Sequence, residues 1–160
     1  MPLTLFRIDE RLIHGQVLVG WGTRLGLQYY VVVDDALAGS GWEQDLYRSG
    51  LPDEVTAEFV TVDEAAMRFA ELDGREGPGA LLTRGTRAMR KLAEQGLLDG
   101  RRVNVGGLHG GAGRERVLDY LYLGECERAD LEVINHHSES VVARDLPTTR
   151  PISLDTVLGK

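Results

Sequence analysis

Apolar positions change period in a regular way along the chain, and the changes place the elements. Residues 3–8 open on Leu3, Leu5 and Phe6, apolar and β-compatible, and predict a short strand. Asp9, Glu10 and Arg11 interrupt it. Val17, Leu18, Trp21 and Leu25 then fall at helical spacing, predicting a helix from about Gly15 or Gln16 to Leu25 with Gly26 as its terminator. Gly20 and Gly22 weaken that helix by roughly 1 kcal/mol each on intrinsic propensity, which a close packing contact would justify. Residues 28–33 are a dense β-branched and aromatic run, a buried strand by type, stopped by Asp34-Asp35. Residues 40–50 predict a short helix with Trp42, Leu46 and Tyr47 on one side, and Pro52 blocks its continuation. A strand over 56–60 leads to Thr61-Val62-Asp63-Glu64, a capping box opening a helix through Met67, Phe69 and Leu72. A glycine-rich surface loop over 74–79 precedes a short buried strand at 80–82.

Thr86 is expected to cap a helix ending near Gln95, with Gly96 after it. A strand over 102–105 follows, then residues 106–113, which are rich in glycine and include His109. A strand over 120–123 and a charged helix from Glu125 to about His137 come next. Residues 140–143 are the last predicted strand, placed at an edge because Pro147 and Pro151 follow closely. Residues 156–160 read as a tail or a short final turn.

Alternating strands and helices predict an α/β fold: one domain, an open, mainly parallel sheet, and helices on both faces. The 160 residues suffice for a proper core. A hydrophobic fraction of 42% and a charged fraction of 27% are those of an ordinary globular protein. The formal net charge of −7 argues against non-specific binding to nucleic acid or anionic membrane, which needs a basic face. A single cysteine, Cys126, expected to be small and half-buried, permits no internal disulfide and fits a reducing cytosol. No signal peptide and no membrane-spanning apolar run are legible, so a role in transport would require separate membrane subunits.

Strand, polar turn and helix start together make the ground plan of an anion site, because the first amides of a helix lack intrahelical partners and sit at the positive end of its dipole. Here Arg11 adds a full charge, and His14 is the nucleophile of the turn. Ligands of open parallel sheets bind beyond the carboxyl ends of the strands. His14 lies past the first strand, and Thr83-Arg84 and Gly106-Gly107 lie past two others, so these loops are expected to share one cleft. A phosphoryl-carrying His needs an unprotonated ring nitrogen, donors for the phosphoryl oxygens, and a surface position that donor and acceptor can reach in line. Arg11 with the Gly15 and Gln16 amides would supply the donors, with Thr83 and Arg84 as further pocket walls. Asp9 would repel a phosphate unless paired, so it is expected to pair with Arg11 or Arg7, or to hold the loop, without touching the phosphoryl group. Arg7, inside the strand, reads as structural. The glycines of 106–113 do not form a nucleotide-binding P-loop. His136-His137 lack the companions of a metal site, and Asp34-Asp35 read as a solvated strand end. No metal and no cofactor are implied.

The run Arg7-Ile8-Asp9-Glu10-Arg11-Leu12-Ile13-His14-Gly15-Gln16-Val17, with Trp21 after it, resembles the active-site signature of the enzyme IIB components of the mannose/fructose/sorbose class of the bacterial sugar phosphotransferase system. The resemblance continues through Val31-Val32-Val33-Asp34-Asp35, Asn104-Val105-Gly106-Gly107, and Leu146-Pro147, and so spans nearly the whole chain. It departs at Arg84, where the family often carries a different polar residue. The resemblance implies that His14 accepts a phosphoryl group from a phosphohistidine on a IIA protein, on the ring nitrogen nearer the main chain (Nδ1). It then implies transfer to a sugar presented by membrane IIC and IID subunits. The IIA part, often fused in this family, is expected as a separate polypeptide. A cytoplasmic protein, peripheral to the inner membrane through IIC and IID, follows. The alternatives are a regulatory phosphohistidine module of the same fold and a non-catalytic anion-binding or scaffold domain. Oligomeric state and sugar identity are not written in the sequence.

Overall fold

The structure, a computed structural model, describes residues 2–160. Strand β1 (Leu3–Ile8) is followed by a π-helical segment (Gln16–Gly22) that runs on into one α-turn, α1 (Thr23–Leu25). Then come β2 (Tyr29–Val33), α2 (Asp35–Ala38), α3 (Gly41–Arg48), β3 (Thr56–Val60), α4 (Val62–Met67), α5 (Phe69–Asp73), β4 (Gly79–Thr83) and α6 (Thr86–Glu94). The second half holds β5 (Arg102–Val105), β6 (Glu115–Leu118), β7 (Leu121–Leu123), α7 (Glu125–His136), β8 (Ser140–Ala143), β9 (Ile152–Ser153) and α8 (Leu154–Leu158). Seven strands form one sheet in the order β3-β2-β4-β1-β5-β8-β9, parallel except for β9, while β6 and β7 form a separate hairpin.

Both faces are covered, as an α/β sheet requires. Val17, Trp21, Leu37 and partly buried Tyr47, from the π-helical segment, α2 and α3, pack with Leu5, Tyr30, Val32 and Leu82 on one face. Val62, Leu72, Met89, Leu92, Leu131 and Ile134, from α4 to α7, pack with Phe6, Val31, Leu81 and Val103 on the other. The connections leaving β1 and β4, which are neighbours, therefore cross to opposite faces, and a crevice opens between their carboxyl ends. Register brings those ends level: Ile8 pairs with Thr83 and with Val105, and Val33 pairs with Thr83.

Several expectations are corrected. The first helix has the predicted extent but is π-wound over Gln16–Gly22; a Cβ at Gly22 would press on the buried Tyr30 hydroxyl, the close packing that excuses a glycine there. Gly26 ends it at φ 65°. The helix predicted through Leu72 breaks at Arg68, although Thr61 caps its start as predicted. Thr86 is not a cap: it is the first helical residue, and its hydroxyl donates to buried Asp130. Strand β8 is not at the edge, because β9 pairs with it after Pro151. The end of the chain forms α8 in place of a tail. Cys126 is exposed, not half-buried. Trp42 and Leu46 face outward at 70% and 66% exposure. No helix among the described residues is long and apolar enough to cross a membrane.

Candidate functional site

Three loops leave the level ends of β1, β4 and β5 and are tied together by their main chains. The Asp9 amide donates to the Thr83 carbonyl at 3.0 Å, and the Glu10 amide donates to Gly107 at 2.9 Å. The turn after β1 closes with the Leu12 amide donating to the Asp9 carbonyl, and Leu12 takes a positive φ of 54°, which is uncommon for a residue with a branched side chain.

At the centre is Asp9, fully buried. Its Oδ1 accepts from the Arg11 amide and Arg11 Nε, both at 3.0 Å, and its Oδ2 accepts from Arg11 Nη2 at 2.9 Å, the Gly107 amide at 3.1 Å and Arg7 Nη2 at 3.4 Å. Burial pushes the carboxyl upward, but the hydrogen bonds from Arg11 and Gly107 and the charge of Arg7 outweigh it and hold Asp9 below the usual carboxylate range. Asp9 is thus paired with both arginines. Arg7 is as buried as Asp9; its guanidinium also donates to the carbonyls of Arg144 at 2.7 Å and Asp145 at 3.0 Å, and lies over the Trp21 ring. Burial lowers its pKa, only partly offset by Asp9 and Asp145. Trp21 fastens the same strap by donating to the Asp145 carbonyl. Gly106 is needed here for space, since a Cβ would fall on the Arg7 guanidinium and the Asp9 carboxylate.

Arg11 is the outward member of the network, with its side chain 41% exposed and its pKa raised by the hydrogen bond to Asp9. Nε and Nη2 grip the carboxylate, which fixes the guanidinium plane and turns the remaining edge away from Asp9.

The ring of His14 is more enclosed than a surface position implies: its side chain is 16% exposed. Nδ1 lies 2.9 Å from the Leu12 carbonyl. A carbonyl only accepts, so in this pose Nδ1 carries the proton and Nε2 is bare. Nε2 is buried without a hydrogen-bond partner among the described residues and stands 4.0 Å from Asp9 Oδ2. Burial lowers the imidazole pKa more than the Leu12 carbonyl and Asp9 raise it, so the ring is neutral near pH 7.

The remaining predicted residues divide. Gly15 caps the start of the π-helical segment, with open space where a Cβ would be, and the Leu18 amide donates to the His14 carbonyl. Buried Gln16 Oε1 has no partner among the described residues. Arg84 lines the same cavity as His14, but its Nε is engaged by Asp34 Oδ2 at 3.1 Å. Asp34 is therefore not merely a solvated strand end; its other oxygen caps α2. Thr83 is corrected: it is fully buried, and its hydroxyl is spent on the Gly85 carbonyl, so it braces the loop and does not wall the pocket. His109 is 80% exposed and meets the Glu10 carboxylate through both ring and main chain, which ties the glycine-rich loop to the first turn. His136 and His137 stack edge to face, and no cluster of three or more metal-ligating side chains exists among the described residues. Sequence reasoning missed the strap at Arg144-Asp145, whose contribution is through carbonyls, and the cavity of about 650 Å³ between the π-helical segment and α3, lined by Ile13, His14, Leu18, Trp42, Leu46 and Arg84 among others.

Arginines gripping one carboxylate beside a neutral imidazole, at the convergent ends of a parallel sheet, make an arrangement able to hold an anion against a nitrogen nucleophile. The family described as PTS system sorbose subfamily IIB component matches residues 3–160. The N-acetylgalactosamine-specific phosphotransferase enzyme IIB component 1 of Escherichia coli K12 is 32% identical over 155 residues, covering 91% of each chain. The crystal structure of the N-acetylgalactosamine-specific IIB component 1 from Escherichia coli superposes with a TM-score of 0.85 at 29% identity, covering 94% of this chain and 98% of that one. The mannose-specific EIIAB component of Escherichia coli K12 is 26% identical over 160 residues, all of this chain but 49% of that protein. The chain thus belongs to the sorbose-type IIB component family of the sugar phosphotransferase system, and it is a phosphotransferase component.

Proposed function

We propose that His14 is the phosphoryl carrier, accepting the group from a phosphohistidine on a IIA protein and passing it to a sugar held by membrane IIC and IID subunits. Residues 1–160 would act as one IIB unit on the cytoplasmic side of the membrane. The observation that carries this reading is the neutral His14 ring set beside the Asp9–Arg11 pair, with Arg11 exposed.

In the transfer, the lone pair of a bare His14 nitrogen forms a new N–P bond while the N–P bond of the donor phosphohistidine breaks, and the donor imidazole keeps the released electron pair. Attack by Nδ1, as the family resemblance implies, requires the ring proton to sit on Nε2. Nε2 stands 4.0 Å from Asp9 Oδ2, so a small ring movement that takes Nδ1 off the Leu12 carbonyl would let Asp9 accept the Nε2 proton's hydrogen bond and free the Nδ1 lone pair for attack. Asp9 is then a positioning residue that selects the tautomer and stays ionised. Arg11, and the amides of Gly15 and Gln16, would take the phosphoryl oxygens, with Arg84 at the wall beyond. Handing the group to a sugar hydroxyl reverses the bond changes: the His14 N–P bond breaks, an O–P bond forms, and the hydroxyl proton leaves to solvent or base.

Incubation with a phosphorylated IIA protein, followed by mass spectrometry, tests this. An acid-labile, alkali-stable phosphoryl group is expected on His14 and absent from His14→Ala. Unmodified wild-type protein under conditions that load a relative would overturn it.

A further inference from the structure

A second cavity of about 650 Å³ shares no residue with the one beside His14. It lies between the β6–β7 hairpin and the strap that runs from Asp145 to β9. Its apolar lining is Val117, Leu118 and Ile152, half-buried and packed on the core, and half-buried Tyr120 joins them. Its polar groups are unspent. Tyr120, Asp145 and Arg150 all line it, and the hydroxyl, the carboxylate and the guanidinium have no hydrogen-bond or ion-pair partner among the described residues. Arg116, exposed, is already paired with Asp119. An apolar wall with a few convergent polar groups is the make-up of a small-molecule site. The lining charges balance by count, Arg116 against Asp119 and Arg150 against Asp145, so a polyanion such as a nucleotide finds no surplus of cations. What remains is an acceptor-only carboxylate, a donor-only guanidinium fork and a hydroxyl that does both. Adjacent hydroxyls on a saturated ring, each donating and accepting, satisfy all three, and the C–H face of that ring covers the apolar lining.

We propose that this cavity is a second small-molecule site, one that takes the ring of a sugar and communicates its presence to the Asp9 network through Asp145. A component of a sugar phosphotransferase system meets such rings both free and phosphorylated. Asp145 joins the cavity to the site twice over. Its carbonyl accepts from Arg7 Nη2 at 3.0 Å and from Trp21 Nε1 at 3.1 Å. Its carboxylate acts electrostatically on Arg7, Arg11 and Tyr120. A ring hydroxyl that donates to this carboxylate therefore pulls on the strap that holds Arg7 and weakens the field at Arg11. Binding here does not require that His14 carry a phosphoryl group.

Titration of the whole chain with N-acetylgalactosamine, with mannose and with the 6-phosphate of each, read by calorimetry and NMR, tests this. At least one of them is expected to bind with a Kd of about 1 mM and to move the indole N–H resonance of Trp21, which Trp42→Phe distinguishes from that of Trp42. Asp145→Asn and Arg150→Ala are each expected to weaken binding by about tenfold or more, as the loss of a hydrogen bond to a charged group does. Arg150 is exposed, and unchanged melting of Arg150→Ala shows that the fold is kept. Tighter binding of a 6-phosphate with the same dependence on both residues makes the phosphorylated sugar the occupant; equal or weaker binding makes it the free sugar. No binding up to about 50 mM, binding that neither substitution weakens, or a Trp21 resonance that stays in place overturns the proposal. So does displacement by inorganic phosphate, which would make this an anion site. Binding of leucine in place of the sugars would overturn it too, by setting an ammonium on Asp145 and a carboxylate on Arg150.

Discussion

Replacing Asp9 by Asn tests whether the buried ion network holds the three loops together. The amide keeps the shape of the carboxylate but loses its charge and one of its two acceptor atoms. Whichever way it is turned, an NH₂ group meets donors: Arg11 N and Nε on one side, or Arg11 Nη2, Gly107 N and Arg7 Nη2 on the other. Hydrogen bonds to charged groups contribute about 1.5–3 kcal/mol each, and two or three of them are broken. With the NH₂ group in the Oδ2 place, Arg7 is left buried with only the Arg144 and Asp145 carbonyls as acceptors. Breaking a buried pair on one side typically costs about 3–5 kcal/mol, and that loss is expected in urea unfolding at pH 7. The sign with pH follows from the depressed Asp9 pKa. The stabilisation is fully present above the unfolded value of about 3.9 and is lost as pH falls through the folded value. Wild-type and Asp9→Asn stabilities should therefore converge on acidification below about pH 4. A difference under about 1 kcal/mol at pH 7, or one that does not shrink with acid, would refute the network as the clasp of the site.

Arg11→Ala should slow transfer from phospho-IIA by about 10²–10³, the loss typical of one transition-state donor, with a much smaller change in melting because Arg7 and Gly107 still satisfy Asp9; single-turnover labelling checks it. Gly106→Ala should destabilise by about 1–3 kcal/mol through overpacking, since its Cβ lands on Arg7 and Asp9, and thermal unfolding reads this directly. For His14, burial depresses the pKa, so the neutral ring persists below the ordinary value of about 6.5. Labelling by phosphoramidate should hold its rate as pH drops from 7.5 to about 6.5. Stability should fall below that point as the unfolded ring takes a proton the folded one refuses. A ring proton titrating above 6.5 by NMR would contradict this.

Much of this was legible because the strands announce themselves. The dense apolar run ending at Val33 and the Gly26 terminator follow from composition and spacing, whereas the register that brings Ile8 level with Thr83 and Val105 is set by the sheet. Short pieces held by tertiary contact were not: α2 is four residues capped by Asp34, and β6, Glu115–Leu118, exists through its hairpin with β7. Pro151 reads as the end of pairing but only delays it, because β9 begins one residue later. At the site, Asp9, Arg11 and His14 belong to one turn of the chain, so their meeting is local and readable. The hold of Arg7 on Arg144 and Asp145 is not, because it is made to their carbonyls, which carry no side-chain signature. The cavity went unread for a different reason. The helical spacing of Trp42, Leu46 and Tyr47 reads as a core stripe, yet Trp42 and Leu46 point to solvent.

If His14 is the carrier proposed above, the charge balance of the site bears on how it could both take and release the same group. Arg7 and Arg11 are only partly offset by the Asp9 they share, with Asp145 and Glu10 acting on them from further off, and Arg84 is offset by Asp34. A phosphoryl dianion arriving there is therefore stabilised but not fully neutralised. A site with two unopposed cations would favour the phosphorylated state more and release it more slowly. Asp9 supplies that restraint without facing the phosphate, because its oxygens are turned toward Arg11, Gly107 and Arg7, with His14 Nε2 4.0 Å from Oδ2. The carboxylate that looks misplaced next to an anion in the sequence is thus what keeps Arg11 rigid and its charge partly spent. Both properties favour transfer over storage.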